Sequence, residues 1–490
     1  MTRGQVAVLM HDGFYCAGTG AGYANHAFLD VLARHLADDV HLHVLPVHLI
    51  RDSSEYDHAW HQRTLTVLDH HPRHQVHPVD NGTGSRVRFS GLPAFQALAG
   101  STASTLRRTL APGRRPVLIV GFDVPFLGVP ELLPPRLARC LVTVPRSTAL
   151  LHAPDDPDRI GFETRGLRAT VAHGGLVGAI SAHMRTHLHR DLAVPATALI
   201  DLPDGLTPTD RRFSAPRDGL LPPGGRSGFV LALGRAHPYK GWDDLLDALH
   251  LLHTGGVTLP PVLLAAVTED QTPSTYQRHL ARRITDLALP VTLRTRFDHQ
   301  LRDLMAHPNL RALVVPSRRE PFGRIPLEGF AAGAAPVVAT TAGGLAEQVL
   351  DNVTGYTTRP NDPADLARAL RRALDCDPAT RSRLAAAGQE LLDTRFAHER
   401  VITGFLREHA AWSLRDSARS SRTGDPTKAG HATSASAAVG ASTGSPHRCR
   451  ATSAAARPCA APAGPHASTS TALSQETMTR PSSRPPSTSG

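Results

Sequence analysis

The sequence predicts two open, doubly wound α/β domains facing one another across a cleft, followed by a disordered C-terminal tail. Three observations carry this. Short apolar runs alternate with helical stretches from the N-terminus onward, the pattern of a parallel sheet covered on both faces. The alternation stops at a Pro/Gly-rich stretch, 215–228 (APRDGLLPPGGRSG), and then starts again. After residue 414 apolar periodicity ends, and Ser, Thr, Ala, Pro and Gly dominate. A length of 490 residues accommodates this organisation, at about 150 residues per domain as a prior.

In the first domain, residues 1–214, the expected strands are 6–10, 40–47, 76–79, 117–120, 141–144, 179–181 and 198–200, with helices over 24–36 and 92–110. A linker is placed at 215–228. In the second domain, 229–396, strands are expected at 229–233, 262–267, 291–294, 312–315 and 336–339. Its helices are expected at 242–253, 276–287, 326–332, 345–350, 363–374 and 378–392. A terminal helix is placed within 397–414, and 415–490 is read as disordered, since its composition cannot bury enough surface to offset ordering entropy. Ligands of open α/β sheets bind outside the carboxyl ends of the strands, so the cleft is the expected site.

Composition narrows the function classes. No run of roughly 18 apolar residues is present and the first apolar stretch is too short for a signal peptide, so neither a membrane span nor secretion is expected. The five cysteines, at 16, 140, 376, 449 and 459, contain no CxxC pair. That argues against a disulfide framework or zinc knuckle and for a reducing, cytoplasmic setting. The net charge of +10 invites a nucleic-acid reading. However, residues 415–490 hold nine Lys/Arg against three Asp/Glu, leaving an ordinary +4 for residues 1–414. The tail lacks interleaved aromatics, so no nucleic-acid partner is expected.

Several patterns fail on context. Gly18-Thr19-Gly20-Ala21-Gly22 lacks the third glycine of the dinucleotide fingerprint. A Walker loop is excluded, because neither of the two lysines, Lys240 and Lys428, follows Gly and precedes Ser or Thr. Gly440–Gly444 spells a nucleophile elbow but has no strand before it. Asp155-Asp156-Pro157-Asp158 reads as a solvated turn rather than a metal site, no HExxH occurs, and no metal or other cofactor is expected.

Three strand-to-helix loops of the second domain carry chemistry. Gly234-Arg235-Ala236-His237-Pro238-Tyr239-Lys240-Gly241 presents a guanidinium and an ammonium where a strand ends. Those groups suit phosphate oxygens, the alternative being a pair of solvated loop cations. Lys240 is the only lysine outside the tail. Glu320-Pro321-Phe322-Gly323-Arg324-Ile325-Pro326-Leu327-Glu328 places two carboxylates eight residues apart around a helix N-terminus, an arrangement suited to a ligand with many hydroxyls. Thr340-Thr341-Ala342-Gly343-Gly344-Leu345 is a third turn, whose glycines let backbone approach a phosphate.

In this order, with Pro316-Ser317 and Gly333…Pro336-Val337-Val338-Ala339, these motifs resemble glycosyltransferase family 4 of the GT-B fold, over about residues 1–412 and most densely over 229–360. The resemblance implies two Rossmann-like domains and a retaining transferase that uses a nucleotide sugar, most simply a UDP-sugar, without an active-site metal. It implies that Arg235 and Lys240 hold the diphosphate and that Glu320 contacts hydroxyls of the transferred sugar. Glu328 would then take the ribose hydroxyls, with Phe322, Gly323 and Arg324 against the sugar and Gly343 and Gly344 at the donor. Gly20 and Gly22 match the glycine loop that the family's first domain turns toward donor and acceptor.

The chain departs from the family pattern in two places. A histidine is usual after the strand ending at Val144, where this chain reads Pro145-Arg146-Ser147 and the nearest histidine is His152. The usual Asn-Gly of the interdomain segment is Asp204-Gly205. For the acceptor, Asp12 and Asp123 lie just past strand ends, where they suit a ligand bearing amines and serve equally as helix N-caps. The string His11-Asp12-Gly13-Phe14-Tyr15 with residues 18–25 also resembles the branch of the family that builds aminoglycoside antibiotics. That branch implies a UDP-N-acetylglucosamine donor and an acceptor such as ribostamycin. A transferase acting on a lipid or cell-envelope glycan, or a non-catalytic sugar-nucleotide binder, are the rival readings.

Overall fold

The structure is a computed structural model describing residues 3–85, 91–110, 115–268 and 272–415. The proposed disordered tail, apart from Arg415, lies outside these residues. The described chain contains two parallel sheets. The first comprises β1 (Gly4–Met10), β2 (Val40–Pro46), β3 (His74–Val76), β4 (Val117–Phe122), β5 (Leu141–Val144), β6 (Leu176–Ala179) and β7 (Leu199–Asp201), in the order 3-2-1-4-5-6-7. The second comprises β8 (Phe229–Arg235), β9 (Val262–Thr268), β10 (Val291–Arg296), β11 (Leu310–Val315), β12 (Val337–Thr340) and β13 (Tyr356–Thr358), in the order 10-9-8-11-12-13. In both sheets the order reverses beside the first strand, β1 or β8. Such switch points open crevices at the strands' carboxyl ends.

Burial on both faces explains why the strands read as apolar runs rather than alternations: Val6 through Met10 and Val262 through Leu264 are inaccessible to solvent. Amphipathic helices supply the covering layers. Helix Pro363–Leu374 buries Leu366, Ala367, Ala369, Leu370 and Ala373 at helical spacing, with Asp362 capping its start.

The chain passes between the sheets at two adjacent points. Leu206 N donates to Phe396 O at 3.0 Å and His398 N donates to Leu206 O at 3.2 Å. A Cβ on Gly205 would meet Phe396 O at 2.1 Å, so only glycine lets the two crossings touch. The crossing thus precedes the Pro/Gly-rich 215–228 stretch. Composition there marks irregular backbone lying on the second sheet's side, where His307 pairs with Asp218 at 3.5 Å. The terminal helix, His398–His409, returns to the first domain. Its Glu399 accepts from Arg34 at 2.9 Å and pairs with His35 at 2.5 Å, and Gly4 leaves room for the Trp412 ring.

Candidate active site

The second domain gathers its charged groups where β8 ends. Gly241 has φ 73°, and a Cβ there would lie 1.9 Å from Pro316 O, so the turn after β8 closes directly onto the loop after β11. That closure brings residues 80 positions apart together: Lys240 Nζ lies 2.5 Å from Glu320 Oε2, with side chains 13% and 12% exposed. Ser317 Oγ donates to the same Glu320 oxygen at 3.2 Å. Arg235 donates to the Tyr239 hydroxyl. Arg235 and Lys240 both lie over the Tyr239 ring, at 5.8 and 5.7 Å from its centroid.

The loop after β12 seals the other side. Gly343 has φ 56°, and a Cβ there would lie 2.1 Å from Glu320 O; a Cβ on Gly344 would lie 2.6 Å from Phe322 Cα. Gly344 N donates to Glu320 O at 2.9 Å. Gly323, at φ 85°, fits between Leu345 and the Glu320 side chain. These three glycines therefore hold the Glu320 loop as a rigid cradle. Phe322 is buried edge-on to Phe396. Arg324 is buried too, donating to Gly205 O at 3.0 Å and lying 3.4 Å from Asp210. Both side chains thus point into the protein. Glu328 is buried between Arg302, at 3.5 Å, and Arg324, at 3.6 Å.

The first domain contributes the glycine turn. Thr19 caps helix Gly20–His35, accepting from Gly22 N at 3.1 Å and donating to Asp12 Oδ2 at 2.7 Å. Asp12 also accepts from Gly13 N at 2.8 Å, and a Cβ on Gly22 would meet its carboxylate at 2.5 Å. Gly22 thus accommodates Asp12, and buried Asp12 holds the turn from within. Gly20 is exposed beside the Arg324 side chain. Asp123 adopts φ 72°, ψ 159° at the end of β4, a strained conformation for a non-glycine residue. Burial pushes its carboxyl up to about 6 against the pull of Arg146.

The contacts of three residues named from the sequence emerge only in the fold. Arg146 and Asp204, the two departures from the family pattern, form one buried ion pair. Asn25 Oδ1 accepts from Arg146 Nε at 3.0 Å and Nη2 at 2.7 Å. His152 packs on Tyr239, with ring centroids 4.8 Å apart. Burial, then the Arg235 charge, push it down to about 4, so it is neutral at physiological pH. Its Nδ1 is buried without a hydrogen-bond partner among the described residues. His152, His183, Arg319, Glu320 and Gly343 line an open cavity of about 170 Å³. Arg319 donates across it to Leu151 O at 2.8 Å. No group of three or more potential metal ligands occurs among the described residues, and no described helix is long and apolar enough to cross a membrane.

Residues 221–391 match the family described as glycosyl transferases group 1. The chain is 33% identical to glycogen synthase of Mycobacterium tuberculosis over 183 residues, which cover 37% of the chain and 42% of the relative. It is 31% identical to D-inositol 3-phosphate glycosyltransferase of Thermomonospora curvata over 234 residues, 47% of each protein. It thus spans less than half the length of these curated relatives. Among solved structures, sucrose-phosphate synthase from Thermosynechococcus elongatus superposes with a TM-score of 0.63 at 20% identity, covering 82% of this chain and 97% of that one. Anabaena HepE in complex with UDP superposes with a TM-score of 0.58 at 21% identity, covering 83% of this chain and 100% of that one. The fold is GT-B.

Proposed function

We propose that this protein is a retaining glycosyltransferase that moves a sugar from a UDP-sugar to a hydroxylated acceptor, with Arg235, Lys240 and Glu320 at the centre of the reaction. The observation that carries the reading is the meeting of Lys240 with Glu320 beside Arg235, inside the stretch that matches the group 1 family. A nucleoside diphosphate leaving group gains negative charge as the bond from the anomeric carbon to phosphate oxygen breaks. Cations fixed beforehand at that oxygen favour the transition state over the ground state. The acceptor oxygen bonds the anomeric carbon on the same face, and its proton passes to the departing phosphate oxygen. Lys240 exchanges the Glu320 carboxylate for diphosphate oxygens, freeing Glu320 to accept from sugar hydroxyls. Neutral His152 offers its unpartnered nitrogen to the same sugar.

For donor and acceptor we favour UDP-N-acetylglucosamine and an aminoglycoside such as ribostamycin. Support comes from the resemblance of residues 11–25 and from Asp123 just past the end of β4, Asp12 and Asp204 being taken up by the Thr19 turn and by Arg146. A second reading, transfer to a phosphorylated cyclitol, is favoured by the names of several relatives. Mass spectrometry of the protein incubated with UDP-N-acetylglucosamine or UDP-glucose, and with ribostamycin or inositol 3-phosphate, separates them. Ribostamycin heavier by one N-acetylhexosamine supports the first reading. Hexosylated or N-acetylhexosaminylated inositol phosphate supports the second, and no product from any pair counts against both.

A further inference from the structure

The chain is poor in aromatics, yet half of its six tyrosines, Tyr15, Tyr23 and Tyr56, lie in or just after the loops that follow β1 and β2. They form two layers. The inner layer is structural: Phe14 is buried, and buried Trp60 donates to Gly13 O at 3.1 Å, tying the second loop to the glycine turn. The outer layer is partly open. Tyr15 and Tyr56 lie 5.3 Å apart, inclined by only 30°. His61 stands 4.9 Å from Tyr15, and its Nδ1 is 2.5 Å from the Tyr56 hydroxyl. Asp57 N donates to Tyr15 O at 3.1 Å, locking the loops in register. The second domain reaches the same flank, where His299 Nδ1 lies 2.5 Å from the Tyr23 hydroxyl and its ring stacks on Trp60 at 6.3 Å. The second domain thus contacts this flank through Tyr23 and Trp60, and the cluster lies beyond the strand ends where open sheets bind ligands.

We propose that Tyr15, Tyr56 and His61 form a stacking subsite for the acceptor, taking the ring of a sugar or cyclitol against the paired tyrosine faces. This inference rests on the transferase reading above and names the acceptor class it requires. Aromatic faces inclined to one another by 30° meet the C–H face of a saturated ring, while the Tyr56–His61 pair offers polar atoms at the edge to equatorial hydroxyls. Two residues of the outer layer come from different loops, so the subsite exists only when both loops are docked.

The test measures binding of ribostamycin and of myo-inositol by saturation-transfer NMR to the UDP-saturated full chain, for wild type, Tyr56→Leu, Tyr15→Leu and Tyr56→Phe. UDP affinity is measured by calorimetry on the same samples. At least one ring compound binds wild type, each leucine variant weakens it about tenfold, Tyr56→Phe changes it less than about threefold, and UDP affinity is constant throughout. Unweakened binding by both leucine variants overturns the proposal. So does failure of both ring compounds to bind wild type that holds UDP. Failure of UDP itself to bind removes the transferase reading as well.

Discussion

At the residue scale, the candidate site is built from charges that satisfy one another. Lys240 and Glu320 are each other's partner, both mostly buried. Lys240→Ala should reduce sugar transfer by about 10²–10³, as loss of one transition-state contact does, while circular dichroism stays that of the wild type. An unchanged rate would remove Lys240 from the reaction. Arg146 behaves oppositely. Its pair with Asp204 is buried and braced by Asn25, so Arg146→Ala should destabilise the fold by about 3–5 kcal/mol through the carboxylate left behind. In urea unfolding the Arg146→Ala/Asp204→Ala double variant should lose less than the sum of the single changes, and strict additivity would show the pair contributes nothing. The second-domain cations were legible because each sits in a short loop beside a strand end. The Arg146–Asp204 pair was not, since its members are 58 positions apart and only the fold joins them. Asp12 and Gly22 could be read as ligand-facing, but no sequence pattern reveals that the glycine leaves room for the aspartate.

At the element scale, the glycines after β12 act as spacers between loops. Gly343→Ala must move the Glu320 carbonyl or abandon φ 56°. A stability loss above about 1 kcal/mol with weakened UDP binding is expected, and a variant matching wild type in both would contradict the interlocked-loop description. Buried parallel strands declared themselves as apolar runs, so nearly every one was visible. Helices with mixed faces were not: His58–Leu68, Pro157–Ala172 and Ala182–Arg190 bury only three to five residues each among polar and charged ones. Helix Gly20–His35 starts earlier than the expected residue 24, because Thr19 caps a turn whose glycines look like loop. The stretch expected as a helix at 345–350 is instead a short 3₁₀ turn, Gly343–Glu347. Its Glu347 accepts from the Ala182 and His183 amides, both at 3.0 Å, holding it to the first domain.

At the scale of the whole molecule, buried histidines set the response to acid. Burial pushes His26, His43, His152 and His398 each down to about 4 from an ordinary 6.5. Between those values the unfolded chain binds more protons than the folded one, so stability is full above pH 6.5 and falls as pH drops toward 4. Asp123, raised to about 6, acts in the opposite sense over part of this window, but four groups outweigh one. The midpoint of thermal unfolding should therefore fall between pH 7 and pH 5, and a constant or rising midpoint would contradict the burial of these rings. The return of helix His398–His409 to the first domain belongs to this scale too. The helix itself could be read from its periodicity, but its destination depends on contacts such as Glu399 with Arg34, hundreds of positions away.

Calorimetric titration of UDP into the wild type and Lys240→Ala asks whether the end of β8 holds a nucleoside diphosphate. A single saturable site in the wild type, weakened about tenfold or more by the substitution, is the predicted result. Equal affinity in the two proteins, or no binding to the wild type, would contradict it.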